Sequence, residues 1–153
     1  MKKLTLAFVA SLFLFAISCG TKSDLLVGKW KVLNCTIPDF DKALEKNLEM
    51  VPDSMREQYR QMMQSQLASL QEGLKKGIFE FKDGGKFEFT FAEKTNKGTY
   101  KLSDDAKTII TTDSGATKGD TLFVNSLDKE KLEFKVRFSD EMTGVFSLEK
   151  EKK

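Results

Sequence analysis

The sequence predicts a mainly β fold, an eight-stranded antiparallel up-and-down barrel with a helical insertion between its first and second strands. Apolar and polar residues alternate with a period of two in eight short segments, one before the insertion and seven after it. Short polar connections join the seven later segments, which is typical of an antiparallel meander. Eight strands is also the number at which a sheet closes on itself. The alternative is an open sheet or a sandwich with the helix packed on one face.

The first strand and the insertion differ in their periodicity. The strand covers 28–32, where Trp30 and Val32 fall on one face and lysines on the other. The insertion, 39–77, divides at Pro52 into two helical segments. In the second segment Ser54 and Glu57 have the spacing of a capping box. Steps of three and four then predict one apolar stripe along this helix, formed by Met55, Tyr59, Met62, Met63, Leu67, Leu70 and Leu74.

The seven later strands are predicted at 78–81, 86–91, 98–102, 107–112, 121–127, 131–138 and 143–148. Asp-Gly-Gly at 83–85 joins the first two, because these residues tolerate positive φ. Alternation places an almost wholly apolar set of side chains inside the barrel, namely Val32, Phe79, Phe81, Phe87, Phe89, Phe91, Tyr100, Leu102, Leu122, Val124, Leu132, Phe134, Val136, Phe138, Phe146 and Leu148. The carboxylates of Asp83, Asp104, Asp105 and Asp113 fall in predicted turns, where aspartate is common.

The composition argues against several functional classes. The chain has 153 residues, with 25 Lys and Arg against 23 Asp and Glu, so its net charge of +2 provides no strongly basic face for nucleic acid. It has no histidine, which removes the commonest general base and the commonest transition-metal ligand. Two cysteines cannot form a cysteine-rich zinc site. We therefore expect a protein that is not an enzyme, needs no metal or cofactor and binds no nucleic acid.

The N-terminus has the pattern of an export signal. Two lysines precede an apolar run at 4–17, which is short for a bilayer span and typical of a signal peptide over 1–18. The small residue before Cys19 and the Gly20 after it resemble the lipobox of bacterial lipoproteins. This resemblance implies cleavage before Cys19, acylation of its thiol by a palmitate-like chain, and a tether over 19–25. An ordinary secretory signal cleaved nearby is the alternative.

Lipoprotein sorting by resemblance favours the outer membrane, because Gly20 rather than aspartate follows Cys19. The lipid would hold the domain on the membrane of the cell envelope. The periplasmic and the surface face both stay open. Cys35 has no partner if Cys19 carries lipid, so we predict that it is a buried small apolar residue.

A second resemblance concerns the barrel itself. Gly28-Lys29-Trp30 resembles the G-x-W signature of lipocalins. The stretches at 83–87 and 98–103, with Asp105 and Lys107 after them, and the closing hairpin that contains Leu132 are similar to the lipocalin-like domain of small bacterial lipoproteins. The resemblance covers 26–149 and leaves a charged tail at 150–153. It implies a small barrel that holds a hydrophobic molecule, with Trp30 closing one end. The lipocalin Thr-Asp-Tyr motif is absent, and Asn-Ser-Leu-Asp stands at 125–128.

Two functional hypotheses follow. The first is a barrel that binds an acyl chain or a similar apolar molecule in a cavity of at least ~300 Å³, open beneath the helix. Its candidate ligand-binding residues are Trp30, Phe79, Phe81, Phe87, Phe89, Phe91, Tyr100, Phe134, Phe138 and Phe146. The second is a structural, interaction or inhibitor lipoprotein with a filled barrel, which contacts a protein partner through the insertion. The candidate lid or partner-binding residues are Met55, Tyr59, Met62, Met63 and Leu67.

Overall fold

The fold was obtained as a computed structural model that describes residues 22–140 and 142–152. The predicted signal peptide and the lipidation site Cys19 lie outside the described residues. Three helices are present, α1 (Lys22–Leu26), α2 (Phe40–Leu48) and α3 (Asp53–Leu74). The strands are β1 (Gly28–Thr36), β2 (Ile78–Lys82), β3 (Lys86–Phe91), β4 (Lys94–Leu102), β5 (Thr108–Asp113), β6 (Asp120–Leu127), β7 (Lys131–Arg137) and β8 (Thr143–Lys150).

The strands form a closed barrel in sequence order, and every neighbouring pair is antiparallel. Pairing of β1 with β8 closes the sheet, with Trp30 opposite Lys150 and Val32 opposite Leu148. The predicted fold class, including the helical insertion between β1 and β2, is therefore confirmed. Closure leaves no unpaired edge strand, which removes a common route to aggregation.

The two ends of the barrel differ. In an up-and-down barrel alternate connections lie at the same end, so α1, the β2–β3, β4–β5 and β6–β7 turns and the C-terminus share what we call the closed end. Trp30 is fully buried there, and its indole Nε1 donates a hydrogen bond to the Leu26 carbonyl at 2.7 Å. Lys150 crosses the same end, with Nζ 4.9 Å from the centre of the Trp30 ring and 2.7 Å from the Leu25 carbonyl.

Gly28 provides the space for this arrangement. Its φ of +139° is rarely adopted by residues that carry a side chain. A Cβ at this position would also lie 2.5 Å from Cε of Lys150. The glycine of the G-x-W motif therefore allows the Lys150 side chain to pass over Trp30.

The interior is dominated by packed phenylalanine rings. Phe79 stacks on Phe89 with 4.2 Å between ring centroids, and Phe134 stacks on Phe146 at 5.2 Å. The two stacks meet edge to face, with 5.6 Å between Phe79 and Phe134. Offset stacks and edge-to-face contacts are the arrangements that aromatic rings favour. The alternation of the sequence thus gathers rings from β2, β3, β7 and β8 into one core.

Several local predictions were wrong. Helix α3 begins after Pro52 without a side-chain cap, so the Ser54–Glu57 capping box does not form. The predicted apolar stripe of α3 is present, and its burial, which the spacing left open, is confined to its C-terminal end: Leu74 is buried, whereas Met55, Met62 and Leu70 are exposed. Phe138 follows β7 and is half exposed rather than interior, although its ring still contacts Phe146.

The β4–β5 turn is held by one carboxylate. Asp105 accepts a 2.6 Å hydrogen bond from the Ser103 hydroxyl and a 3.0 Å bond from the Lys107 amide. The Ser103 bond first, and then the Lys107 bond, hold the pKa of Asp105 below its usual range. A carboxylate whose pKa is lower in the folded than in the unfolded chain contributes stability above its unfolded pKa of about 3.9.

We therefore expect the contribution of Asp105 to be lost as the pH falls below about 4 and through the depressed folded pKa. The Asp105→Asn variant should be less stable than the parent at neutral pH and should lose less stability on acidification. Thermal unfolding between neutral and strongly acidic pH measures both effects. Asp104→Asn removes the same charge one residue away and is the control; an equal change in this control would contradict the assignment.

Candidate ligand-binding site

A cavity of about 160 Å³ lies inside the barrel, towards the end opposite Trp30, which we call the open end. Its volume is about half of the ~300 Å³ predicted for a carrier of larger ligands. The lining combines apolar and polar residues from seven strands, β2 to β8, namely Phe79, Phe87, Phe89, Asn96, Thr111, Asp113, Asp120, Leu122, Phe134, Val136 and Phe146. Among the residues that the structure describes, the side chains thus fill most of the barrel interior around this small space.

The predicted ligand-binding residues divide into three groups. Five of them line the cavity, namely Phe79, Phe87, Phe89, Phe134 and Phe146. Three lie towards the closed end, namely Trp30, Phe81 and Tyr100, the last two in edge-to-face contact at 5.1 Å. Phe91 and Phe138 lie at the open end outside the cavity lining, and the Phe91 ring packs close to Gly73 of α3.

Four polar residues form the rim of this cavity, Asn96 on β4, Thr111 and Asp113 on β5, and Asp120 on β6. Asn96 pairs with Phe89, and Thr111 pairs directly with Asp120. Asp113 lies two residues beyond Thr111, so it is a diagonal neighbour of Asp120, at a distance of ~7–8 Å for this geometry. Both carboxylates therefore lie at the same side of the opening.

Thr111 is a buried polar residue in this lining, with 8% of its surface exposed. Its neighbours on the inner face of β5 are the buried Ile109 and the rim residue Asp113. Its hydroxyl makes no hydrogen bond to any residue that the structure describes, and since no fully buried polar side-chain atom of the described chain lacks a partner, this hydroxyl keeps some accessible surface. A hydroxyl in this position is free to hydrogen-bond with water or with a ligand.

The rim carries negative charge without a matching cation. No lysine or arginine of the described chain lies within 4.0 Å of the carboxylates of Asp113 and Asp120. The outer face of neighbouring β3 differs, because Glu88 pairs there with Lys82 at 2.8 Å and with Lys97 at 3.2 Å. The hydrogen bond from Lys82, followed by that from Lys97, lowers the pKa of Glu88.

These rim residues were missed by sequence reasoning for identifiable reasons. Strand β4 begins at Lys94 rather than at the predicted Gly98, so Asn96 lies within a strand and not in a connection. Asp113 is the last residue of β5 and not an ordinary turn aspartate. The alternation from Ile109 through Thr111 to Asp113 was the available signal, because it continues the inward face to the end of the strand.

The helical insertion borders the site without lining it. The lining of the cavity includes no residue of α3, so the predicted lid residues Met55, Tyr59, Met62, Met63 and Leu67 do not contact a ligand space there. The C-terminal end of α3 approaches the barrel, where Leu74 is buried. A Cβ on Gly77 would lie 3.1 Å from the Phe89 ring.

Other features of the described chain are less suited to a site. Clefts of about 500 and 590 Å³ lie at the closed end, on the outside of the barrel, and the lining of each includes five charged residues. Cys35 is buried, as predicted, and burial raises the pKa of its thiol. Within residues 22–140 and 142–152 no cluster of metal-binding side chains occurs, and no helix has the length and hydrophobicity of a membrane span.

Comparison with known proteins gave limited matches. No protein-family model matches the chain, and no curated protein matches it. Among solved structures, a crystal structure of a DUF4847 family protein from Bacteroides vulgatus ATCC 8482 is similar, with 16% sequence identity and a TM-score of 0.46. The match covers 84% of this chain and 96% of that protein.

Proposed function

We propose that this protein is a non-catalytic, lipocalin-like barrel that binds a small, largely apolar molecule at its open end. The observation that carries this proposal is the 160 Å³ cavity lined by five phenylalanines inside the closed barrel. Ligand pockets in proteins are typically apolar cavities with a few polar groups that fix orientation. The volume suits a molecule with a single ring, since an engineered apolar cavity of about 150 Å³ binds benzene.

The proposal includes a place in the cell envelope. The basic and apolar start of the chain and the lipobox-like residues around Cys19 support lipid anchoring, at the outer membrane by resemblance. Incorporation of a palmitate probe into the full chain should disappear in Cys19→Ser and persist in Cys35→Ser. Incorporation in Cys19→Ser would contradict anchoring at this residue.

Ligand binding is tested with 2-phenylethanol, a neutral and water-soluble probe of one ring. The probe is titrated into the full-length chain in detergent micelles, and backbone amide shifts are recorded by NMR. We expect saturable shifts at Phe89, Thr111 and Phe134, which border the cavity. Val136→Phe adds bulk to the lining and should abolish these shifts.

Ile110→Phe is the matched control, because Ile110 is exposed on the outer face of β5. This variant should bind the probe as the parent does. Absence of saturable shifts in the parent, or unchanged binding by a folded Val136→Phe variant, would overturn the proposed function.

A second candidate function is contact with a protein partner through the insertion. It is favoured by the exposure of the apolar side of α3, where Met55, Met62 and Leu70 are 54%, 46% and 44% exposed. A photo-crosslinking residue placed at Met62 in cells should then give one discrete adduct, and the same residue at Gln64 on the opposite side should not. Equal or absent adducts at the two positions would contradict this candidate.

A further inference from the structure

We infer that the open end of the barrel selects a small amphiphilic cation, an organic ammonium whose apolar ring enters the cavity and whose N–H groups meet the rim. This inference rests on the proposed function and specifies its ligand class. It is derived from the phenylalanines that line the cavity, the charge of its rim and the hydroxyl of Thr111 between them.

The phenylalanines that line the cavity can pack against a ring and attract a nearby positive charge. Phe79, Phe134 and Phe146 present faces and edges to the cavity, with centroid distances of 5.2 to 6.4 Å between them. The faces of aromatic rings attract cations within about 6 Å. In a ligand of one ring that carries a short ammonium arm, both the ring and the ammonium group would therefore interact favourably with these phenylalanines.

The rim distinguishes a cation from an anion. Asp113 and Asp120 lie on one side of the opening, and no described lysine or arginine forms an ion pair with either. Charge-assisted hydrogen bonds to carboxylates are stronger than neutral ones. A carboxylate ligand such as a fatty acid would meet two like charges here, and Arg137 is exposed on β7 outside the cavity lining.

Thr111 links the two parts of the site. It is more than nine-tenths buried, it lines the cavity, and its hydroxyl has no hydrogen-bond partner in the described chain. Its cross-strand partner is Asp120, so the hydroxyl and one rim carboxylate lie next to each other. An ammonium group has three donors and can satisfy the hydroxyl oxygen and both carboxylates together.

The test compares three probes that share a ring and differ in charge, namely 2-phenylethylammonium, 2-phenylethanol and 3-phenylpropionate. Each is titrated into the full-length chain in detergent micelles at low salt and neutral pH. We expect the ammonium probe to bind about tenfold more tightly than the alcohol, with the propionate weakest. The Asp113→Asn/Asp120→Asn double variant should lose this preference, so that it binds the ammonium probe no more tightly than the alcohol.

The double variant Asp83→Asn/Asp104→Asn is the matched control, because it removes the same charge from exposed turns at the closed end. It should keep the preference for the ammonium probe. Thr111→Val should weaken binding of the ammonium probe several-fold without changing the order of affinity of the three probes. Thermal unfolding confirms that each variant is folded.

The outcomes separate this inference from the proposed function. Binding of the alcohol with equal or tighter binding of the propionate would overturn the cation preference and leave ring binding intact. A preference that survives in Asp113→Asn/Asp120→Asn would also overturn it. No binding of any probe would overturn the proposed function, and the inference with it.

Discussion

Replacement of Trp30 by alanine is expected to lower the free energy of unfolding by about 3–5 kcal/mol, the range observed for loss of a buried aromatic side chain. Trp30 is fully buried at the closed end of the barrel, where its ring separates the core from Lys150. Alanine would leave a cavity and would remove the indole N–H that donates a hydrogen bond to the Leu26 carbonyl. Urea denaturation followed by far-UV circular dichroism measures the change, because the chain has a single tryptophan and loses that fluorescence signal.

Trp30→Phe is the control for this prediction. It keeps an aromatic ring but loses the Nε1 hydrogen bond, so a smaller loss of about 1–2 kcal/mol is expected. Equal stability of Trp30→Ala and the parent would contradict the role of Trp30 in closing the barrel. If the alanine and phenylalanine variants had the same free energy of unfolding, the volume of the ring would contribute nothing to stability at this position.

The second large effect is expected for Phe134→Ala, which should also cost about 3–5 kcal/mol in the free energy of unfolding. Phe134 is nearly fully buried, stacks on Phe146 at 5.2 Å and meets Phe79 edge to face. Removing its ring breaks both contacts and enlarges the existing cavity. Because the cavity borders this ring, the variant should also accept larger ring probes than the parent does.

Phe123→Ala is the matched control on the neighbouring strand. Phe123 points outward from β6 and is 49% exposed, so its loss should cost about 1 kcal/mol or less. The difference between the two variants in urea denaturation tests whether alternation sorts phenylalanines between core and surface. Similar losses for Phe123→Ala and Phe134→Ala would contradict this sorting.

Much of the fold follows from local features of the sequence. Period-two alternation around Phe79, Phe87 and Phe134 identified the strands and their inner faces, and the Asp-Gly-Gly turn at 83–85 identified one hairpin. Short connections then allowed one antiparallel order, and the number of strands, eight, favoured closure of the sheet. These features are encoded within a few residues, which is why a single sequence reveals them.

Features that depend on partners across the barrel were harder to predict. The register shift between Val32 and Asn34 turns Cys35 inward, and its presence depends on how β1 meets β8. The short helix α1 was not predicted, although its Leu26 carbonyl accepts the Trp30 hydrogen bond at the closed end. A bulge or a short capping helix leaves little periodic signal, because each involves only a few residues.

The candidate site was predicted only in part for a related reason. The cavity volume is the small difference between the space that the barrel encloses and the volume of the side chains that fill it. A list of inward-facing apolar residues therefore cannot predict it. The polar rim arose from strand ends, where Asn96, Asp113 and Asp120 continue the inward face beyond the apolar run. The stripe on α3 had helical periodicity, but the barrel buries Leu74 and leaves Met62 exposed.

The central claim is that a closed, phenylalanine-filled barrel retains one ring-sized space at its open end. Xenon is a direct probe of such a space, since it binds in small cavities that apolar side chains line. Diffraction from crystals of the protein under xenon pressure should reveal one xenon atom inside the barrel, in contact with Phe79, Phe134 and Phe146. Xenon bound only at α3 or at the closed end, with none inside the barrel, would contradict the claim.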